Sequence, residues 1–216
     1  MSYCQTFKQK IEEIKEKAKI LENLLLEYKN TGNEEIAEEI ERILQKIEKF
    51  KEKFKDRATR LIGKFIQRRD NQSDNVKIIF DEKDAKFIIE GDLIFELPHL
   101  NDFPGLIKEI TGDLVIYIAE TINLPALEKV GRHLVLEEAK TIYLPNLKEI
   151  GGDFYAPLAE IFNLPNIKRI GGDIVFKPYN PNLDFVSEQA DELRAKGILK
   201  GKIVLIDDWG RVVGTL

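Results

Sequence analysis

The chain has 216 residues, 43% of them apolar and a third charged, with a formal net charge of −5. That balance favours solubility and argues against bulk attraction to nucleic acid. The single cysteine, Cys4, excludes an internal disulfide framework and points to a reducing compartment. The opening "MSYCQTFKQKIEEIKEK" has no apolar core of signal-peptide length, and no run approaches the ~20 apolar residues that span a bilayer. The expected location is therefore cytoplasmic, with no transmembrane segment.

Residues 7 to 65 carry a helical rhythm. Phe7, Ile11, Ile14, Ala18, Leu21, Leu25 and Tyr28 recur by fours and threes. After "NTGN" the rhythm restarts with Ile36, Ile40, Ile43, Ile47, Phe50 and Phe54. This spacing places one apolar stripe on each helix, as in a coiled-coil seam. Gly32 suits a helix C-terminus, Asn33 suits the next N-cap, and Glu34 and Glu35 favour the positive end of the new helix dipole. So short a loop makes the helices antiparallel neighbours. The expectation is a helical hairpin over 5–69, with helices at roughly 5–30 and 34–68. Leu61, Ile62, Phe65 and Ile66 extend past the first helix and need burial elsewhere. "DNQSDN" (70–75) reads as a polar linker.

From residue 76 the period changes. "GDLIFELPHLNDFPGLIKEIT" begins at Gly91, "GDLVIYIAETINLPALEKVG" at Gly112, "RHLVLEEAKTIYLPNLKEIG" at Arg132 and "GDFYAPLAEIFNLPNIKRIG" at Gly152. A fifth copy, "GDIVFKPYNPNLDF", starts at Gly172 and decays. Self-similarity at about 20 residues means stacked supersecondary units that bury a continuous core only together. Leu93, Leu114, Leu134, Phe154 and Ile174 form one ladder, and Ile122, Ile142 and Phe162 another. Leu124, Leu144 and Leu164 form a third, each followed by a proline that ends strand hydrogen bonding at a corner. The glycines of "IGGD" are expected to supply positive φ at the other corner. "DFVSEQADELRAKG" (184–197) predicts a helix with Ser187 as N-cap and Gly197 past its end. "ILKGKIVLI" then predicts a last, degenerate coil, followed by a tight turn at Asp207–Gly210 and a return strand. "NVKIIFDEKDAKFII" supplies the first strands.

The phrase "LPxLxxIGGD", carried by residues 124–133, 144–153 and 164–173, resembles the repeats of receptor L domains and related leucine-rich-repeat-like proteins. The resemblance covers about residues 90–183. It implies a right-handed parallel β-solenoid with short strands and small corners. The chain lacks the cysteines of extracellular L domains and the asparagine ladder of many leucine-rich repeats. The predicted fold class is thus α plus β: an N-terminal antiparallel helical hairpin, then an LRR-like solenoid over 76–216 closed by a capping helix and strands.

The chemical inventory is sparse. His99 and His133 are the only histidines, and no zinc spacing occurs. His133 stands in a column with Asp92, Asp113, Asp153 and Asp173. That column reads either as a calcium-binding carboxylate ladder or as a turn that suits aspartate, with the second reading favoured. No phosphate-loop pattern occurs, and the Gly-Gly pairs feed strands. The few serines lie far from either histidine in sequence. The Lys/Glu pairs at 128–129, 148–149 and 168–169 read as a solvated edge of alternating sign. No catalytic residue, cofactor or metal ligand is assigned, and the protein is not expected to be an enzyme.

Two surfaces remain. Residues 51–69 hold eight Lys or Arg against Glu52 and Asp56, which suits either a solvated helix face or a contact to nucleic acid or an anionic membrane. On the strands, if Leu114 and Ile116 face in, Val115 and Tyr117 face out. The outward column is then Ile94, Val115, Val135, Tyr155 and Val175, apolar through five copies, flanked by Tyr117. Tyr143 faces out on a neighbouring side. Such a column is a partner surface, a surface covered by the chain itself, or a product of β-propensity. The candidate partner-binding residues are Val115, Tyr117, Val135, Tyr143, Tyr155 and Val175. The expected function is protein–protein interaction or scaffolding, with an unknown protein partner and the hairpin for docking or homodimerisation. The alternative is a nucleic-acid or membrane-surface binder through 51–69.

Overall fold

The computed structural model describes residues 3–67, 76–81, 83–84, 86–95 and 106–216, with the side chains at 3–15, 18, 54, 57–58 and 61–67 excepted. The expected linker at 70–75, the first copy's corner with His99, and the side chains of Cys4, Phe7, Ile11, Ile14, Ala18, Phe54, Leu61, Ile62, Phe65 and Ile66 lie outside the described residues. The chain divides into two compact units, Met1–Leu61 and Ile62–Leu216.

The first unit holds helix α1 (Tyr3–Thr31) and most of α2 (Glu34–Gln67). The junction follows the residue chemistry. Gly32 adopts φ 64°, a conformation costly for any residue with a Cβ, and its N–H reaches Tyr28 O at 2.7 Å. Asn33 Oδ1 then accepts the Glu35 N–H at 2.9 Å, which caps α2. Ile40 and Ile43 are each 8% exposed, with Ile36, Ile47 and Phe50 half-buried along the same stripe. On α1 the stripe differs from the expected one. Leu21 and Leu24 are half-buried, whereas Leu25 and Tyr28 are exposed. The run Leu24–Leu26 fits either phase of a 3.6-residue period, and position 24 is the one that turns inward. Among the described residues, no helix is long and apolar enough to cross a membrane.

The second unit is a β-solenoid. In chain order its strands are β1 (Lys77–Asp81), β2 (Lys86–Glu90), β3 (Leu93–Phe95), β4 (Ile107–Ile110), β5 (Leu114–Ile116), β6 (Thr121–Asn123), β7 (Lys129–Val130) and β8 (Leu134–Leu136). There follow β9 (Thr141–Tyr143), β10 (Glu149–Ile150), β11 (Phe154–Tyr155), β12 (Ile161–Asn163), β13 (Arg169–Ile170) and β14 (Ile174–Phe176). Helix α3 (Leu183–Ala195), β15 (Ile203–Ile206) and β16 (Val212–Thr215) close the chain. Successive coils deposit one strand on each of three sheets. The sheets run β1-β2-β4-β7-β10-β13, β16-β15-β14-β11-β8-β5-β3 and β12-β9-β6. Pairing between coils is parallel, residue for equivalent residue: Leu114 on Leu134, Phe154 on Ile174, Ile122 on Ile142. Among the described residues, only the end pairs, β1 with β2 and β15 with β16, are antiparallel.

The ladders of like residues are the core. Leu134, Ile142, Leu144, Leu147, Ile150, Phe154 and Ile174 are all 0% exposed. The "LPxL" phrase makes the turn. Leu127 N–H bonds to Leu124 O at 3.2 Å, and the same bond recurs at Leu147–Leu144 and Ile167–Leu164. Proline sits at the second turn position, where its fixed φ is already correct.

The double glycine works differently from the sequence expectation. Among the described glycines of that corner, only Gly91 has positive φ, at 112°. Gly151 has ordinary φ, but a Cβ there would collide with the carbonyl oxygen of Gly131 in the adjacent coil. Close backbone stacking, about 4.8 Å between strands, is what excludes a side chain. The second glycine column is less strict, since Arg132 holds it in one coil.

The C-terminal end closes with α3 in place of a third-sheet strand, and its Val186 and Ala190 are fully buried. The helix starts at Leu183 with Asn182 at the N-cap, not at Ser187. Ser187 lies inside the first turns and donates its hydroxyl to Asp184 O, a bond that competes with capping. Gly197 is past the end, at φ 69°. The degenerate last coil forms as expected: β15 pairs in parallel with β14, and Gly210 N–H closes the Asp207 turn at 3.0 Å.

Candidate functional site

Most polar positions of the solenoid are consumed by its own stacking. In the aspartate column, Asp92 Oδ1 accepts the Asp113 N–H at 2.8 Å, and Asp113 Oδ1 accepts the His133 N–H at 2.9 Å. His133 Nδ1 accepts the Asp153 N–H at 3.0 Å, Asp153 Oδ1 that of Asp173 at 2.7 Å, and Asp173 Oδ1 that of Lys202 at 2.7 Å. Each side chain therefore ties one coil to the next. Histidine is tolerated because its Nδ1 stands where an aspartate oxygen would. The column is a hydrogen-bond ladder, and among the described residues no three His, Cys, Asp or Glu side chains gather to hold a metal ion.

The charged edge is likewise paired. Lys129 lies 3.3 Å from Glu109, Arg169 2.8 Å from Glu149, and Glu128 bonds Lys148 at 2.6 Å and Lys86 at 3.1 Å. The hydrogen bond from Lys148 holds the Glu128 carboxyl below its ordinary range. Sign alternates down the stack through Glu109, Lys129, Glu149 and Arg169, so those neighbouring coils attract.

The seven-stranded sheet presents a different outer face. Leu114, Leu134, Phe154 and Ile174 point inward and are buried, while Val115, Val135 and Tyr155 point outward and are half-buried. Their register is direct: Val115 on Val135, Val135 on Tyr155, Tyr155 on Val175. Val175 differs from its column mates. It is 8% exposed, in a cluster with Val204 at 8%, Ile206 at 4% and the ring of Tyr155. The face is thus closed at its C-terminal end and more open toward Val115.

One residue past the strands, Tyr117, Glu137, Pro157 and Lys177 form the next column on this side. Tyr117 is 39% exposed. Lys177 Nζ bonds Asp208 Oδ1 at 2.9 Å and sits 5.3 Å from the centroid of the Tyr179 ring, whose hydroxyl also donates to Asp208. Those bonds, from Tyr179 and then Asp208, push the lysine pKa upward, and Tyr179 and Lys177 together hold Asp208 low. Glu137 is half-buried and has no hydrogen bond or ion pair to its side chain among the described residues. Burial raises its pKa against the opposing attraction of Lys177, and burial also raises that of Tyr155, with Glu137 adding to it.

The structure therefore brings Val115, Tyr117, Val135, Tyr155 and Val175 onto one face. Tyr143, 43% exposed, stands apart on the outer face of the three-stranded sheet between its register partners Asn123 and Asn163. Sequence reasoning missed Glu137, Lys177, Tyr179 and Asp208. The 20-residue period does align Glu137 with Tyr117 and Lys177, so that column was readable. Asp208 reaches it only through the β15–β16 turn.

No family model matches the chain, and comparison with the curated proteins and with the solved structures found no match.

Proposed function

We propose that this is a non-catalytic interaction protein that displays the outer face of its seven-stranded sheet to a protein partner. The observation carrying the reading is the contrast on one solenoid. Its aspartates and most strand-borne acids are committed to internal bonds, while Val115, Val135, Tyr117 and Tyr155 form an ordered apolar and aromatic surface. Extended rigid surfaces of this kind suit protein recognition. The helices support a docking or assembly role, because Ile20, Leu25, Leu26, Tyr28 and Leu44 all remain exposed there. Kinship with receptor L-domain-like repeats is part of the proposal and rests on the "LPxLxxIGGD" phrase. A cytoplasmic setting rests on the single cysteine.

The test is affinity capture with the full chain against Val135→Lys/Tyr155→Lys, at low and high salt. The expected result is a binder lost in the double variant, with the fold retained and capture insensitive to salt. Capture that collapses as salt rises would instead indicate phosphate contacts through 51–69. Unfolding of the double variant would mean the column is internal.

A further inference from the structure

We propose that Glu137, with Tyr117 and Tyr155 beside it, anchors a site for a basic side chain, arginine or lysine, carried on an apolar segment of the partner protein. The inference rests on reading this face as the partner surface and specifies its chemistry.

The half-buried acids of the charged edge have a cation in contact: Glu109 has Lys129, Glu128 has Lys86 and Lys148, Glu149 has Arg169. Among the described residues Glu137, which lies on the candidate face, has none. The cation of its own column, Lys177, lies two strands away, roughly 10 Å from strand spacing, and is committed to Asp208 and Tyr179. The carboxyl of Glu137 is therefore partly desolvated, and the attraction of Lys177 offsets only part of that burial. A neutral or acidic partner covering it would bury an unpaired charge, which is costly. A cation would neutralise it in place.

The surroundings suit that occupant. Tyr117 stands in the same column on the preceding coil, about one strand spacing away, and Tyr155 lies on the diagonal of the following coil, at about 7–8 Å. A guanidinium or ammonium between two tyrosines gains cation–π attraction in addition to the ion pair. Arginine's planar fork fits such stacking better than lysine. Val115 and Val135 provide the apolar floor for the residues flanking the cation.

The test is an NMR titration of the full chain with N-acetyl-arginine methylamide, alongside the neutral, apolar probe N-acetyl-norleucine methylamide. The expected result is saturable shifts at the Glu137 carboxyl and the Tyr117 and Tyr155 rings, with the arginine probe only. Glu137→Gln, with an otherwise unchanged folded spectrum, should weaken binding on the order of tenfold. No saturation, equal response to the norleucine probe, or unchanged affinity in Glu137→Gln overturns the proposal. So does a response that appears only after Lys51, Lys53, Lys55, Arg57 and Arg60 are changed to Gln, because the chain's own basic stretch is then the occupant. If the probe fails while Val135→Lys/Tyr155→Lys still abolishes capture, the partner surface stands and only its assigned chemistry falls.

Discussion

The two units of this chain bury apolar residues in different ways. In the solenoid, every inward ladder member from Leu134 to Ile150 is fully enclosed. In the helical unit the best-buried residues, Ile40 and Ile43, still keep 8% of their surface, and Leu26 keeps 64%. A 20-residue repeat supplies each coil with an identical neighbour above and below, so enclosure is built in. The helices have no such repeat, and apolar residues such as Leu25, Leu26 and Leu44 stay exposed on them. The contrast teaches that repetition encloses apolar residues more completely than two helices do.

The largest break in that contrast comes from Leu144→Asp. An unpaired charge placed in a fully enclosed ladder should cost more than about 4 kcal/mol and abolish the cooperative denaturant transition of the solenoid. Unchanged stability would sink the stacking register. Next, Ile142→Ala and Ile43→Ala sharpen the comparison directly. The first, at 0% exposure, should cost about 3–4 kcal/mol, and the second, at 8% exposure, about 2 kcal/mol. Denaturant midpoints followed by strand and helix signals separate them. Gly151→Ala should cost about 2 kcal/mol by collision with Gly131 O, although alanine suits its φ. Full tolerance would show that the coils can part at that corner.

The smallest effect is electrostatic. Glu128 is held below its ordinary value of 4.5 by Lys148 and Lys86. A depressed folded pKa contributes stability above pH 4.5, lost as pH falls through the folded value. Glu128→Gln should therefore lower stability by about 0.5 kcal/mol at neutral pH, a difference that vanishes in acid. Unfolding curves at a series of pH values would show it.

Much of the architecture was legible because repetition averages out local ambiguity. Three copies of "LPxL" place the corner at Pro125, Pro145 and Pro165 whatever any single residue prefers. Where only one copy exists, the pattern decided less. The α1 stripe slipped by one position at Leu24–Leu26, and the α3 cap fell at Asn182 because Ser187 found a partner inside the helix. The double glycine was located correctly and explained wrongly. Composition marks a corner, but distinguishing positive φ from backbone contact needs the distance to the next coil. The candidate face was half legible. The outward valines follow from alternation, whereas the commitment of Lys177 to Asp208 depends on a turn 31 residues away.

The aspartate ladder also bears on how such a chain changes length. Each rung carries its own acceptor for the coil that follows, so the bond joining coil to coil is contained within one copy of the repeat. Duplicating residues 132–151 in frame would bring a complete rung, with its own turn, core layer and tether, and the one new junction, Gly151 to Arg132, repeats the Gly131–Arg132 step the fold already makes. The number of coils is then a matter of gene duplication alone, and the exposed sheet face could lengthen by one residue pair at a time without redesign of the ends.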